Sequence, residues 1–239
     1  MKQKKRLTVE DVKRLATPDE KELYSYVTDR AEIVSSEIAK LIDNAEPGKG
    51  GIVLVHGSQN SGKTIVALLS MSKLESLGYE VGAFQPDVDR PDVPKGRFFS
   101  RSGFEKEVIS FSKKTEISGF FGKYPIVLVD EVHFIPHDLQ IHFFRELMAF
   151  TERGGWAVLI GILPTAQGGE FLLSAVIKER ATVEYELTAT CQKCGRRGAR
   201  WNQRLVDGVP SGSEDPDLLA PSERVVYEPR CDECRVIIG

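Results

Sequence analysis

The chain has 239 residues, of which 41% are hydrophobic and 28% are charged, and its formal net charge is −3 at pH 7. This length suits one sizeable domain with a smaller appendage, and the small negative charge excludes a general attraction to nucleic acid or to anionic membranes. The basic start leads into polar sequence unlike a secretory signal, and the longest apolar stretch, 156–163, is too short to span a bilayer, so a cytoplasmic location is expected.

Residues 1–48 predict an N-terminal helical extension. Thr17-Pro18-Asp19-Glu20 has the form of a capping box with proline at the first helical position. An apolar stripe with alternating spacings of four and three residues then predicts one long helix, with Val27, Ala31, Val34, Ile38 and Leu41 on its apolar face. Such a helix packs either on its own domain or against a partner. The first is favoured because the stripe is short for a coiled coil.

A glycine-rich motif follows the first apolar strand, residues 52–55. Residues 57–64 fit the phosphate-binding loop pattern G-x-x-x-x-G-K-[ST], and a helical pattern continues from there to Gly78. In such a loop the backbone N–H groups cradle phosphate oxygens, the lysine reaches the terminal phosphates and the hydroxyl holds Mg²⁺. The residues predicted to bind a nucleoside triphosphate are Gly57, Ser58, Gln59, Asn60, Ser61, Gly62, Lys63 and Thr64.

Residues 49–185 are predicted to form the nucleotide-binding domain, because strand and helix signals alternate along them. Further strands are predicted at 81–84, 108–111, 126–129 and 157–160, and the clearest helix at 136–150. Apolar strands separated by helices predict an α/β fold with a mostly parallel sheet covered by helices on both faces.

The strand at 126–129 ends in two carboxylates. Asp130 stands at the strand's carboxyl end, where a phosphate-binding-loop enzyme carries the acid that positions magnesium. Glu131 follows at the mouth of the crevice, where it can polarise a water molecule or an acceptor hydroxyl. The alternative is that both acids only cap the next helix.

The four cysteines form two CxxC pairs in the C-terminal segment, 186–239. In a reducing compartment this spacing predicts a tetrathiolate zinc site, with a redox pair or a metal-free site as alternatives. Four thiolates leave no open coordination position, so the zinc is expected to be structural. The predicted ligands are Cys191, Cys194, Cys231 and Cys234. Between the pairs, the composition of residues 207–222 predicts a long loop.

The string Asp130-Glu131-Val132-His133-Phe134 resembles the D-E-[VG]-[QH]-F segment of the zinc-containing thymidine kinases of the cellular and bacterial type. In that family a phosphate-binding loop, this acidic strand end and a four-cysteine zinc lobe occur in the same order. The segment from Tyr227 to Cys231 similarly resembles Y-x-x-x-C. The resemblance covers residue 50 to the C-terminus and implies a RecA-like P-loop fold with a small zinc-ribbon-like lobe that carries a lasso loop.

The resemblance implies ATP-dependent phosphorylation of the 5′-hydroxyl of a deoxynucleoside, thymidine in the first place. It makes Glu131 the general base, adds Asp130 and His133 to the ATP-binding residues, and implies Mg²⁺ at Thr64 and Asp130 beside structural Zn²⁺. The residues it assigns to the nucleoside are Arg90, Phe134, Ala166, Phe171, Leu218, Leu219, Ala220, Pro221 and Tyr227. It also implies a homotetramer, and it makes the N-terminal segment dispensable for chemistry because it begins near residue 50.

Departures from the family pattern lie mostly around the base. Gln59 and Asn60 replace the usual Met-Phe, Ala166 replaces a stacking phenylalanine, and Arg90 comes one place early. These differences leave the base specificity open.

Two other functions compete with a kinase: a P-loop ATPase or switch whose zinc lobe binds nucleic acid or a protein, and a degenerate regulatory subunit. Basic residues near the first cysteine pair favour the switch, namely Lys193, Arg196, Arg197, Arg200 and Arg204. Against it, residues 191–239 hold eight basic and eight acidic side chains, a balance that does not favour binding to a phosphate backbone.

Overall fold

A computed structural model describes residues 18–87, 96–99, 105–212, 222 and 224–236, with the backbone alone for 18–26, 97–99 and 105–106. The strands are β1 (Gly51–Gly57), β2 (Val81–Pro86), β3 (Arg97–Phe99), β4 (Glu105–Glu107), β5 (Ile109–Phe111), β6 (Ile126–Val129), β7 (Trp156–Gly161), β8 (Val183–Leu187), β9 (Ala189–Thr190), β10 (Arg197–Ala199), β11 (Trp201–Val206), β12 (Val209–Pro210) and β13 (Val225–Arg230). The helices are α1 (Pro18–Asp43), α2 (Lys63–Ser76), α3 (Lys114–Lys123), α4 (His137–Glu152) and α5 (Leu172–Arg180), with a 3-10 helix at Val132–Phe134.

Six parallel strands form the central sheet, in the order β5-β2-β6-β7-β1-β8. The five strands predicted from apolar runs are all present in it. The sixth strand, β8, is not an apolar run: it reads Val-Glu-Tyr-Glu-Leu, with both glutamates exposed and the other three side chains partly or fully buried. Such alternation is typical of a half-buried strand, but it does not reveal that this strand joins the parallel sheet next to β1. This alternation suits its place at the margin of the sheet, where it pairs with β1 alone.

Helices cover both faces of the sheet, as the alternation of strands and helices predicted. On one face α1 and α2 pack against alternate side chains of β1 and β7, including Val53 and Val158. On the other face α3, α4 and α5 enclose an aromatic core around Phe111, Phe120 and Phe143. The four buried side chains of α4 recur every three or four residues, so one side of that helix faces the core.

The N-terminal helix α1 is a part of the core on one face of the central sheet. Val27, Ala31, Val34 and Ile38 are all buried there, as the apolar stripe predicted, although Ile42 is buried in place of Leu41. The structure therefore agrees with a helix that packs on its own domain. Among the described residues, no helix has both the length and the apolar character needed to cross a bilayer.

A small β lobe follows the central sheet. It contains the antiparallel pair β9-β10 and the antiparallel sheet β12-β11-β13, in which Arg204 of β11 lies opposite Tyr227 of β13. Of the predicted long loop, 207–222, only 207–212 and 222 are described, and the first of these segments contains the short strand β12, paired with β11. Leu218, Leu219, Ala220 and Pro221 lie outside the described residues, and so does Arg90.

Candidate active site and metal centre

The predicted catalytic residues follow strands whose carboxyl ends meet at one edge of the sheet. The phosphate-binding loop follows β1, Asp130 follows β6, and the segment 162–171 follows β7, which lies between the other two. Because the three strands are parallel, all these segments leave the sheet on the same side. This is where ligands of open α/β sheets bind.

Both glycines of the loop motif occupy conformations that favour glycine. Gly57 has φ 154°, and a Cβ atom on it would collide with the carbonyl oxygen of Leu187. Gly62 has φ 91° and caps the start of α2. Since α2 begins at Lys63, the positive end of the helix faces the loop, an arrangement suited to an anion.

The lysine, hydroxyl and acid that the motifs predicted lie next to one another. The Lys63 ammonium group donates hydrogen bonds to the carbonyl oxygens of Gly57, at 2.9 Å, and Ser58, at 2.7 Å. The Thr64 hydroxyl donates to Oδ2 of Asp130 at 3.3 Å. A hydroxyl and a carboxylate so close together supply the oxygen ligands that Mg²⁺ prefers, so these residues fit that ion.

Asp130 is 5% exposed, and its surroundings disfavour its charge. Burial, and next the charge of Glu131, raise the pKa of Asp130 to about 7, although a hydrogen bond from the Glu131 backbone N–H and the charge of Lys63 act in the opposite direction. A divalent cation bound here would compensate the buried carboxylate and favour its ionised form.

Glu131 has an unusual backbone conformation. Its φ of 57° and ψ of 40° lie in the left-handed region, which costs a non-glycine residue about 1 kcal/mol or more. Two hydrogen bonds hold the turn: its N–H donates to Oδ1 of Asp130 at 2.8 Å, and its carbonyl accepts from the N–H of Phe134 at 2.8 Å. The Glu131 side chain stays 30% exposed at the sheet edge.

His133 lies beneath Glu131 with its side chain only 1% exposed. Its Nδ1 accepts a hydrogen bond from the backbone N–H of Ile162 at 3.2 Å, so the neutral ring carries its proton on Nε2. That nitrogen is 3.5 Å from Oε2 of Glu131, a separation that a small side-chain movement would shorten to a hydrogen bond. The sequence grouped His133 with the ATP-binding residues, whereas the structure buries its ring and turns it towards Glu131.

Two aromatic residues predicted for the nucleoside meet at the same histidine. The His133 ring centroid is 4.3 Å from that of Phe134 and 5.3 Å from that of Phe171. Ala166 lies half-buried in the turn between Pro164 and Glu170, which pair across the segment after β7.

The β lobe contacts the phosphate-binding loop directly. The Ser58 hydroxyl, fully buried, donates to the Ala199 carbonyl oxygen at 2.7 Å, and the Gln59 backbone N–H donates to Oδ1 of Asn202 at 2.6 Å. Asn202 belongs to no motif that the sequence revealed. Nothing in a single sequence connects it with a loop more than 140 positions earlier.

The four cysteines converge on one point in this lobe. Their sulfur atoms lie within 4.8 Å of one another, none is disulfide-bonded, and the Cys194 and Cys231 sulfurs are 3.7 Å apart. Tetrahedral zinc thiolates place their sulfurs about 3.8 Å apart, so the cluster fits that metal. Burial opposes ionisation of Cys191, but backbone N–H groups of Cys231 and Cys194 outweigh it and lower its pKa to about 6.

Two members of the basic cluster in the lobe have partners within the protein. The Arg204 side chain is fully buried and donates to the Ser211 hydroxyl at 3.0 Å. Arg196 forms an ion pair with Glu233. Both observations weaken the interpretation of this cluster as a nucleic-acid surface.

Comparisons with known proteins point to one family. The thymidine kinase family profile matches residues 50–235. The chain is similar to thymidine kinases from two strains of Halobacterium salinarum, each 31% identical over 199 residues that cover 81% of this chain and 98% of the relative.

Solved structures give a remote likeness. A replication initiator DnaA bound to AMPPCP and single-stranded DNA is 16% identical with a TM-score of 0.41, and the match covers 64% of this chain and 45% of that chain. A DnaI structure is also 16% identical, with a TM-score of 0.40 over 66% of this chain and 81% of that chain. This chain thus spans less than half the length of the DnaA chain.

Proposed function

Because this chain belongs to the thymidine kinase family, we propose that it transfers the γ-phosphoryl group of ATP to the 5′-hydroxyl of thymidine. Membership of the family makes the chain a nucleoside kinase. ATP as the phosphoryl donor, thymine as the base of the acceptor and the roles of the site residues are proposed in addition. The observation that carries it is the meeting of Lys63, Thr64, Asp130 and Glu131 at one edge of the sheet.

The phosphate-binding loop holds the triphosphate in this proposal. Backbone N–H groups at the start of α2 bind phosphate oxygens, and the Lys63 ammonium group turns from the Gly57 and Ser58 carbonyls to the terminal phosphates. Thr64 and Asp130 would hold Mg²⁺, which would neutralise negative charge on the phosphates during transfer. Phosphoryl transfer asks for positioning and charge neutralisation above all, and these residues supply both.

Glu131 acts as the general base that accepts the proton of the 5′-hydroxyl. It is the partly exposed carboxylate at the sheet edge, whereas Asp130 beside it is buried. His133 orients Glu131 through its Nε2–H and does not itself bind ATP, because its ring is buried and its Nδ1 is already bonded to the Ile162 N–H. Phe134 and Phe171, packed on the same ring, form walls of the nucleoside pocket.

Zinc holds the β lobe together and takes no part in the chemistry. With Cys191, Cys194, Cys231 and Cys234 all as ligands, the metal has no open position for a substrate. We also propose that the loop between the cysteine pairs, with Tyr227, closes over the base. Roles for Arg90, Leu218, Leu219, Ala220 and Pro221, a homotetramer and a cytoplasmic location stay predictions from the resemblance.

A nucleoside panel tests this function. Purified protein is incubated with Mg²⁺, ATP labelled at the γ-phosphate, and thymidine, deoxyuridine, deoxycytidine or a purine deoxynucleoside, and labelled monophosphates are separated and counted. We expect labelled dTMP. Efficient phosphorylation of a different nucleoside, and not of thymidine, would contradict the thymidine assignment. The departures at Gln59, Asn60 and Ala166 would then be the first candidates to explain the different base specificity. ATP hydrolysis without transfer to any nucleoside would contradict the kinase and favour a switch.

A further inference from the structure

Helix α1 lies outside the segment matched by the family, 50–235, yet it touches the phosphate-binding loop. Val27 on this helix is 7% exposed and packs against Gly62, the second glycine of the motif. A Cβ atom built on Gly62 would lie 2.5 Å from Cγ1 of Val27, so the helix approaches the bare backbone of the loop. The valine occupies the space next to the loop's last turn.

The backbone conformation of Gly62 sets the direction of the two side chains that follow it, Lys63 and Thr64. Gly62 caps α2 with φ 91°, and Lys63 and Thr64 follow it as the first two residues of that helix. A shift of the Gly62 turn therefore moves both the lysine and the hydroxyl relative to Asp130, which lies on a different strand end. Displacements of this kind, even near 1 Å, reduce catalysis substantially.

Contacts along its length fix α1 in place. Ala31, Val34 and Ile38 are fully buried against the core that includes α2. Glu32 forms an ion pair with Lys73 of α2, and the Tyr79 hydroxyl donates to Asp43 at 3.1 Å. Because the helix is anchored at several points, Val27 presents a fixed surface to the loop, and the loss of any single anchor leaves the others to hold the helix.

We infer that α1 is a working part of the ATP site, with Val27 as a positioning residue that holds the Gly62 turn. This inference rests on the proposed use of ATP as the donor. It replaces the sequence-based expectation that residues before about 50 are dispensable for chemistry. That expectation followed from where the family resemblance begins, and a family resemblance carries no information on what packs behind the loop.

The test compares two identical substitutions on one face of α1. Val27→Ala removes the methyl groups next to Gly62, whereas Val34→Ala removes the same groups two helical turns away, among core side chains. We expect Val27→Ala to raise the KM for ATP by about tenfold with little change in the KM for the nucleoside. Val34→Ala should lower the melting temperature at least as much, because its side chain is fully buried, and leave both KM values near those of the wild type.

Amide hydrogen exchange gives a readout that is independent of the enzyme assay. Val27→Ala should accelerate exchange at residues 61–64 without nucleotide, and Val34→Ala should not. Equal exchange at these amides in Val27→Ala and wild type, or the same acceleration in Val34→Ala, would overturn the inference. A wild-type protein that phosphorylates no nucleoside would contradict the proposed function instead, and the exchange comparison separates the two failures.

Discussion

Adjacent carboxylates at the end of β6 have different surroundings, and this difference supports the roles proposed for them. Asp130 is buried and bonded to Thr64, whereas the Glu131 side chain is 30% exposed and faces His133. A buried acid next to a hydroxyl suits a cation, and an accessible acid suits proton transfer. The sequence placed both residues correctly at the strand end, because an apolar run followed by Asp-Glu is a local signal. The orientation of His133 depends on Ile162 of a distant segment and gave no local signal.

Replacing Lys63 tests the charge that the loop contributes. Lys63→Ala removes the ammonium group now bonded to the Gly57 and Ser58 carbonyls, and we expect turnover to fall by roughly three orders of magnitude or more. Lys73→Ala is the matched control, since this lysine lies on the same helix but pairs with Glu32. It should keep near-normal turnover. Near-normal phosphorylation by Lys63→Ala would refute the phosphate-loop assignment.

The raised pKa of Asp130 predicts how stability depends on pH when Mg²⁺ is absent. An unfolded aspartate ionises near pH 3.8, whereas the folded group holds its proton up to about pH 7. Its favourable contribution to the free energy of unfolding is therefore complete below pH 3.8 and is lost as the pH rises to about 7. Above pH 7, wild type carries an unfavourable buried charge.

Asp130→Asn removes this ionisation with little change in shape. In thermal melts without Mg²⁺, we expect the melting temperature of the variant minus that of wild type to be larger at pH 8 than at pH 5. The variant should also lose Mg²⁺-dependent activity. The amide can still accept from the Glu131 N–H. A difference in melting temperature that is the same at pH 5 and pH 8 would show that Asp130 does not titrate in this range.

At the scale of elements, hydrogen bonds join the β lobe to the phosphate-binding loop. The loop's Ser58 and Gln59 are bonded to Ala199 and Asn202, both of which lie between the two cysteine pairs. Loss of the metal from the four cysteines should therefore loosen the phosphate-binding loop as well as the nucleoside pocket. Sequence spacing predicted the metal cluster but could not predict these bonds, because they join segments far apart in the chain.

Loss of one zinc ligand tests this coupling. We expect about one zinc per chain in wild type by metal analysis, and clearly less in Cys231→Ser. The variant should show a raised KM for the nucleoside and also for ATP, because the bonds to Ser58 and Gln59 loosen with the lobe. Asp232→Asn, an exposed neighbour outside the cluster, is the control and should retain its zinc. Wild type with well under one zinc would contradict the assignment of the metal.

At the scale of the whole molecule, the sequence predicted the individual elements better than the contacts between elements that are distant in the chain. Five sheet strands, the loop and the cysteine cluster came from local patterns of periodicity and spacing. The place of the edge strand β8 beside β1 was missed because an alternating pattern indicates a strand but not its partner. The contact of Val27 with Gly62 was missed because it depends on how α1 packs on the core. Such contacts are set by three-dimensional packing, which a single sequence does not display.

The proposed kinase mechanism depends on a phosphate loop and a general base at one edge of the sheet, and Glu131→Gln tests it most directly. Glutamine keeps the shape of the side chain but cannot accept the proton, so kcat should fall by roughly two to four orders of magnitude while ATP affinity is retained. Glu152→Gln, an exposed residue at the end of α4, is the control and should behave as wild type. The measurement is thymidine phosphorylation at saturating ATP, alongside direct ATP binding. A loss of kcat with ATP binding intact is the predicted result, and thymidine phosphorylation by Glu131→Gln at the wild-type rate would contradict the mechanism.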